Sequence, residues 1–137
     1  MPYGFNNDKS KYEISSGMKV LWENSNPSSP FTSKEVTVAE LDNYDGYEIL
    51  FFDYLTNDAV YNTGFIPNGH ECNVQMFAYN GAGNRLLLFQ RRVDYHNNAQ
   101  PALYFNDSHT FIVMTSTASE SVDNNNLIPY QIIGYKL

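Results

Sequence analysis

Between Tyr47 and Leu55 the chain reads YEILFFDYL, with apolar residues at both odd and even positions. One face of an extended segment carries Tyr47, Ile49, Phe51 and Leu55, interrupted by Asp53. The other carries Leu50, Phe52 and Tyr54 after Glu48. A strand apolar on both faces needs cover on both, so this segment predicts a central strand of a packed β structure. Its shortness, its aromatics and its flanks (Asp45-Gly46 and Thr56-Asn57-Asp58) favour a strand over a buried helical segment.

The remainder alternates in shorter stretches. Met18–Glu23 sets Met18, Val20 and Trp22 against Lys19, Leu21 and Glu23, a half-buried strand ended by the prolines of Asn24–Pro30. Glu35–Val38 resumes the pattern with Val36 and Val38 inward, and a phase slip before Leu41 predicts a bulge or strand end. Leu41–Gly46 reads as a turn, and Ala59–Ile66 as a strand closed by Pro67-Asn68-Gly69. Cys72–Tyr79 has the cleanest alternation: Cys72, Val74, Met76 and Ala78 on one side, Asn73, Gln75, Phe77 and Tyr79 on the other. The glycines of Asn80–Asn84 predict an antiparallel hairpin into Leu86–Val93, which ends in Arg91-Arg92. A loop at His96–Pro101 precedes strands at Ala102–Phe105 and Thr110–Thr115, separated by a turn at Asn106-Asp107-Ser108. Ser116–Asn126 reads as a long surface loop and Tyr130–Tyr135 as the last strand. About eight or nine short strands with regular turn signals predict an all-β, antiparallel sandwich of jelly-roll-like kind with little helix. Residues 1–16 read as a polar N-terminal arm, and residues 17–137 as one domain.

Composition narrows the function classes. A net charge of −7 lacks the basic footprint that nonspecific nucleic-acid binding requires. The single cysteine, Cys72, leaves no intrachain disulfide framework or cysteine-based zinc cluster and reads as a small buried hydrophobe. Apolar runs such as Leu86–Phe89 and Phe111–Met114 fall far short of the ~20 residues of a membrane-spanning helix. Met1–Tyr12 lacks the apolar core of a signal peptide, so export by that route is not expected.

The search for chemistry returns little. Asp94-Tyr95-His96 and Asp107-Ser108-His109 place an acid two residues before a histidine, a spacing that lets both reach one metal from a strand face. Both lie at predicted turns or strand ends, where solvated or capping roles are the ordinary reading, so no metal or other cofactor is expected. Asp42–Gly46 lacks the twelve-residue spacing of a calcium loop. No nucleophile elbow or phosphate-cradling glycine loop is present, and Arg91-Arg92 reads as a solvated strand end. Paired carboxylates for glycoside hydrolysis stay open, because such partners meet in space rather than in sequence. Aromatic side chains are the better lead: Phe77, Tyr79, Tyr95 and Tyr104 are candidates for glycan or subunit contact. Their rival role is ordinary core beneath a second sheet.

Four stretches carry a family resemblance: PYGFNNDKSKYEI (Pro2–Ile14), LWENSNPSSPF (Leu21–Phe31), LDNYDGYEILFF (Leu41–Phe52) and NNNLIPYQIIGYK (Asn124–Lys136). Together they resemble small virion structural proteins of phages and prophages of Gram-positive gut bacteria, of the tail-fibre, receptor-binding or head-fibre type. The resemblance implies a non-enzymatic virion protein, commonly a homotrimer. It implies contacts with other virion proteins and with a bacterial surface glycan, and assembly in the host cytoplasm without membrane insertion. In such proteins long spacers usually separate the opening segment from the terminal module, whereas here the two join almost directly. A stubby accessory or decoration protein is then as natural as a host-binding tip. The arm Pro2–Lys11, with Tyr3, Phe5, Lys9 and Lys11, would dock on the virion or a neighbouring subunit. A carbohydrate-binding module of cellular origin and a small glycan-processing enzyme are the rival readings.

Overall fold

In the computed structural model, residues 4–5, 12–13, 17–53, 59–80, 85–113 and 119–137 are described. Tyr47, Ile49 and Phe51 lie fully buried along one face of strand β5 (Gly46–Asp53), while Leu50 and Phe52 on the other are half-buried. The central position expected of this strand is present, since β5 is flanked on both sides, but the cover expected on both faces is complete on only one. On one side runs β12 (Ile128–Tyr135), itself paired on its far side with β3 (Met18–Glu23). On the other lie β6 (Ala59–Asn62) and β7 (Ile66–Pro67), end to end. Asp53 closes β5, paired with Ala59. Tyr54 and Leu55 lie outside the described residues.

The second sheet is a run of antiparallel neighbours in chain order, β8 (Cys72–Asn80), β9 (Arg85–Asn97), β10 (Pro101–Ile112) and β11 (Ser119–Val122). Strand β4 (Lys34–Thr37) continues the β11 edge, pairing Ala102–Phe105 of β10 while β11 pairs His109–Ile112. The fold is thus all-β, two antiparallel sheets packed face to face. Its core joins Tyr47, Ile49, Phe51, Ile128 and Ile132 of one sheet to Val36, Val74, Phe89, Val93, Leu103 and Phe105 of the other. The helical content among the described residues is a single 3-10 turn, Leu41–Asn43, at the predicted phase slip. In the arm, β1 (Gly4–Phe5) pairs with β2 (Tyr12–Glu13). Tyr3, Lys9 and Lys11, three of its proposed docking residues, are outside the described residues.

Three sequence expectations need correction. The turn expected at Asn106-Asp107-Ser108 is a bulge inside one twelve-residue strand. Phe105 pairs with Val93 and Ser108 with Arg91, so Asn106 and Asp107 together oppose Arg92. The extra residue reverses which parity faces inward: Leu103 and Phe105 before it, Ser108 and Thr110 after it. A broken alternation reads as two strands when only spacing is available. Likewise Ala59–Ile66 breaks at Thr63–Phe65, where the Thr63 hydroxyl accepts the Ile49 N–H at 3.0 Å in place of a ladder carbonyl. Ser116–Asn126 holds β11 and then a tight turn closed by Asn126 N–H donating to the Asp123 carbonyl at 3.3 Å.

Gly46 is not the turn glycine that its Asp-Gly context predicts but the first residue of β5. A Cβ there would stand 2.3 Å from the Phe65 ring and 2.4 Å from the Ile66 carbonyl oxygen. The missing side chain is what lets β7 cross so close to the strand.

Candidate functional site

One face of the β4/β8–β11 sheet is covered by the opposing sheet; the other is not. The register assembles rows across this outer face: Phe77, Leu88, Phe111 and Glu120 in one, Gln75, Gln90, His109 and Val122 in the next. Tyr79 lies opposite Leu86, whose carbonyl accepts the Val113 N–H at 2.9 Å. Phe77 and Tyr79 are 64% and 62% exposed, with Val113 and Val122 also open to solvent. The reading of Phe77 and Tyr79 as core beneath a second sheet is therefore corrected. The alternation of β8 is present, and only its Cys72–Val74–Met76–Ala78 face meets the opposing sheet.

The other two candidate aromatics do not join them. Tyr95 faces inward against the core, and its hydroxyl donates to Asp42 Oδ1 at 2.7 Å. Burial, with the Asp42 carboxylate beside it, pushes the Tyr95 phenol up to about 12. Tyr104 is on the outer face at the opposite end of β10, its ring stacked on His96 at 5.5 Å between centroids. The four residues thus divide between two faces and two ends.

Overlapping the β10 and β11 end of the apolar rows is a shallow trough of about 260 Å³. Its lining includes Phe111 and His109, whose rings lie 6.3 Å apart and 22° from parallel. Gln90 and Arg92 line it from β9, Asn106 and Asp107 from the bulge, and Glu120 from β11. Most of the polar groups are already oriented by a protein partner. Arg92 donates Nε to Asp94 at 2.7 Å and Nη2 to Glu71 at 2.9 Å. Asn106 Nδ2 donates to Asp94 Oδ2 at 2.9 Å, and Gln90 Nε2 to Asn73 Oδ1 at 3.0 Å. Glu120 Oε1 meets His109 Nδ1. Although burial alone would raise it, the bonds from Arg92 and Asn106 hold the Asp94 carboxyl below its ordinary value.

Asp107 Oδ1 accepts from Asn124 Nδ2 and from the Ser33 N–H, both at 2.9 Å. Those two bonds keep its carboxyl below the usual range. A carboxyl depressed in the folded state contributes stability above its unfolded pKa and loses it as pH falls through the folded one. The unfolding temperature should therefore drop as pH falls below about 4. Asp107→Asn should flatten that drop in a calorimetric pH series; an unchanged slope would remove Asp107 from the account.

Behind the trough is a residue that the sequence reading missed. Arg91, expected at a solvated strand end, is fully buried on the inner face of β9. It donates Nε to the Leu127 carbonyl at 2.9 Å, Nη1 to Asn106 at 2.6 Å and Nη2 to Asn126 at 3.2 Å. Burial lowers its pKa to about 10, partly opposed by the Asp107 carboxylate, so it stays charged at neutral pH. The alternation carries the signal for it: β9 runs on to Asn97, and Arg91 falls between Phe89 and Val93 in a row of inward residues.

Comparison with protein-family models, with curated proteins and with solved structures finds no match. The site's chemistry therefore rests on its own geometry. Asp94 and His96 share the outer face but are drawn apart, the acid to Arg92 and the imidazole to Glu35 at 3.0 Å. His109 goes to Glu120 rather than to Asp107. Among the described residues no group of three or more His, Cys, Asp and Glu side chains is placed to hold a metal ion. Burial pushes the Cys72 thiol up to about 12, which keeps it protonated and a poor nucleophile.

Proposed function

We propose that this chain is a non-enzymatic structural module of a phage virion, assembling as a homotrimer through the apolar rows on the outer face of its β4/β8–β11 sheet. The observation that carries the assembly reading is the pair Phe77 and Tyr79, each more than three-fifths exposed on the sheet face turned away from the opposing sheet. Large aromatics exposed side by side, with Leu86, Leu88 and Val113 around them, are what an association surface presents. The virion context rests on the resemblance of Pro2–Ile14, Leu21–Phe31, Leu41–Phe52 and Asn124–Lys136.

Sedimentation equilibrium should find a trimer at concentrations on the order of tens of micromolar. Phe77→Ser with Tyr79→Ser should weaken association at least about thirtyfold, in line with the ~2 kcal/mol of an interface hot spot. A strict monomer, or a trimer indifferent to both serines, would remove this face as the interface. Capsid, portal or tail genes beside this one would support the virion context, and a metabolic operon would overturn it.

A further inference from the structure

We propose that the trough between the β10 bulge and β11 is a binding site for a neutral saccharide unit; it takes Phe111 and Glu120 from the end of the Phe77 row, whereas Phe77 and Tyr79, on which the assembly reading rests, lie outside it. Its polar groups are half-committed in a regular way. Gln90 and Asn106 each commit their amide nitrogen and Arg92 two of its nitrogens to protein partners, and Asp107 and Glu120 each commit one carboxylate oxygen. Gln90 Oε1, Asn106 Oδ1, Arg92 Nη1, Asp107 Oδ2 and Glu120 Oε2 are left without a protein bond among the described residues. The protein thus pays the ordering entropy of these side chains in advance, which favours a ligand that needs several bonds at once.

The charge pattern selects the ligand class. A phosphate or sulfate group would meet Arg92 but also Asp107 and Glu120. A metal cation would meet the two carboxylates but also the guanidinium, in a trough where no three-ligand group forms. A purely apolar ligand would strand the polar rim unsolvated. What satisfies acceptors, a donor and an aromatic ring together is an uncharged molecule with both hydroxyls and C–H faces. The volume of about 260 Å³ suits one sugar ring, with neighbouring units lying along the open ends. Phe111 would take the C–H face of the ring while the carboxylates and carboxamide oxygens accept its hydroxyls.

The test is titration of the isotope-labelled chain with a panel of mono- and disaccharides of glucose, galactose, N-acetylglucosamine and rhamnose, up to roughly 20 mM, with calorimetry on any that bind. Amide signals of Gln90, Arg92, His109 and Phe111 should shift saturably with at least one sugar. Phe111→Ala should weaken that sugar at least tenfold and Glu120→Gln several-fold. Tyr79→Ser should leave it unchanged, whether or not the chain still associates, so that failure here is separable from failure of the assembly reading. Asp107→Asn serves as a further variant if its spectrum stays folded. No saturable shift with any of the panel overturns the proposal. So does binding that survives both Phe111→Ala and Glu120→Gln, or inorganic phosphate or calcium saturating the same amides in preference to sugar.

Discussion

Arg91→Ala should destabilise the domain by roughly 3–5 kcal/mol, lowering its unfolding temperature by something on the order of 10–20 °C. The expectation follows from what the guanidinium holds. Its three principal acceptors are main-chain carbonyls of Asn106, Asn126 and Leu127, the first from the β10 bulge and the others from the turn leading into β12. Neither segment has a regular ladder partner at that point. Leu127 is moreover a non-glycine residue with φ of +49°, a left-handed conformation that costs about 1 kcal/mol or more. Its side chain is fully buried, so the backbone accepts the strain to bring that side chain into the core, and Arg91 receives the carbonyl that results. Alanine would strand these buried acceptors, each at a cost of about 1–3 kcal/mol before relaxation. Arg91→Lys keeps the charge but loses the planar fork that reaches three carbonyls, so it should recover only a minority of the loss. The neighbouring Arg92→Ala is the internal control: its side chain is 56% exposed and its partners are surface carboxylates, so the urea midpoint should hardly move. Equal effects of the two alanines would refute the assignment.

The contrast between these adjacent arginines shows where the sequence is legible. Side-chain parity along a strand is a local property, so the inward row of β8 can be read from alternation alone, whereas β5 is apolar at both parities and its alternation does not single out the buried face. The hairpin pairing of β8 with β9 follows too, from the glycines between them. Two things break that reading. At Asn106-Asp107 one extra residue resets the parity, and no side chain advertises a bulge. At Arg91 the correct parity points a charge inward, and composition overrides pattern in the reader's judgement unless partners for the charge can be foreseen. Those partners are main-chain carbonyls more than a dozen residues away in sequence, invisible to any motif. The candidate site divides in the same way. Phe77 and Tyr79 are legible as aromatics on the polar face of β8; that their face turns away from the other sheet depends on which sheet packs where. The trough was not legible, because Gln90, Asn106 and Glu120 are unremarkable until the bulge and the short β11 bring them around Phe111.

Phe105→Ala should cost a comparable amount, about 3–5 kcal/mol, but through a different physical route and with a different signature. Phe105 is fully buried on the inner face of β10, immediately before the bulge. It makes edge contacts with Phe31 at 5.5 Å and 78° and with Phe51 at 6.4 Å and 74°, and a tilted contact with Trp22 at 6.3 Å. Phe51 and Trp22 belong to the opposing sheet and Phe31 to the loop before β4, so one ring ties both sheets and a loop together. Edge-on aromatic pairs add about 0.5–1.5 kcal/mol each beyond the apolar area they bury. Truncation also leaves a cavity, because rings carried by different strands cannot all collapse into it. Phe105→Leu should therefore recover a good part of the loss in urea unfolding, since it refills volume without restoring the aromatic contacts; Arg91 has no apolar substitute of that kind. A double-mutant cycle with Phe51→Ala should show the two losses to be less than additive, by on the order of 1 kcal/mol, as expected of residues in contact. Strict additivity would mean that the ring pair contributes volume alone, and that the two sheets are held by burial without the geometry of their aromatics mattering.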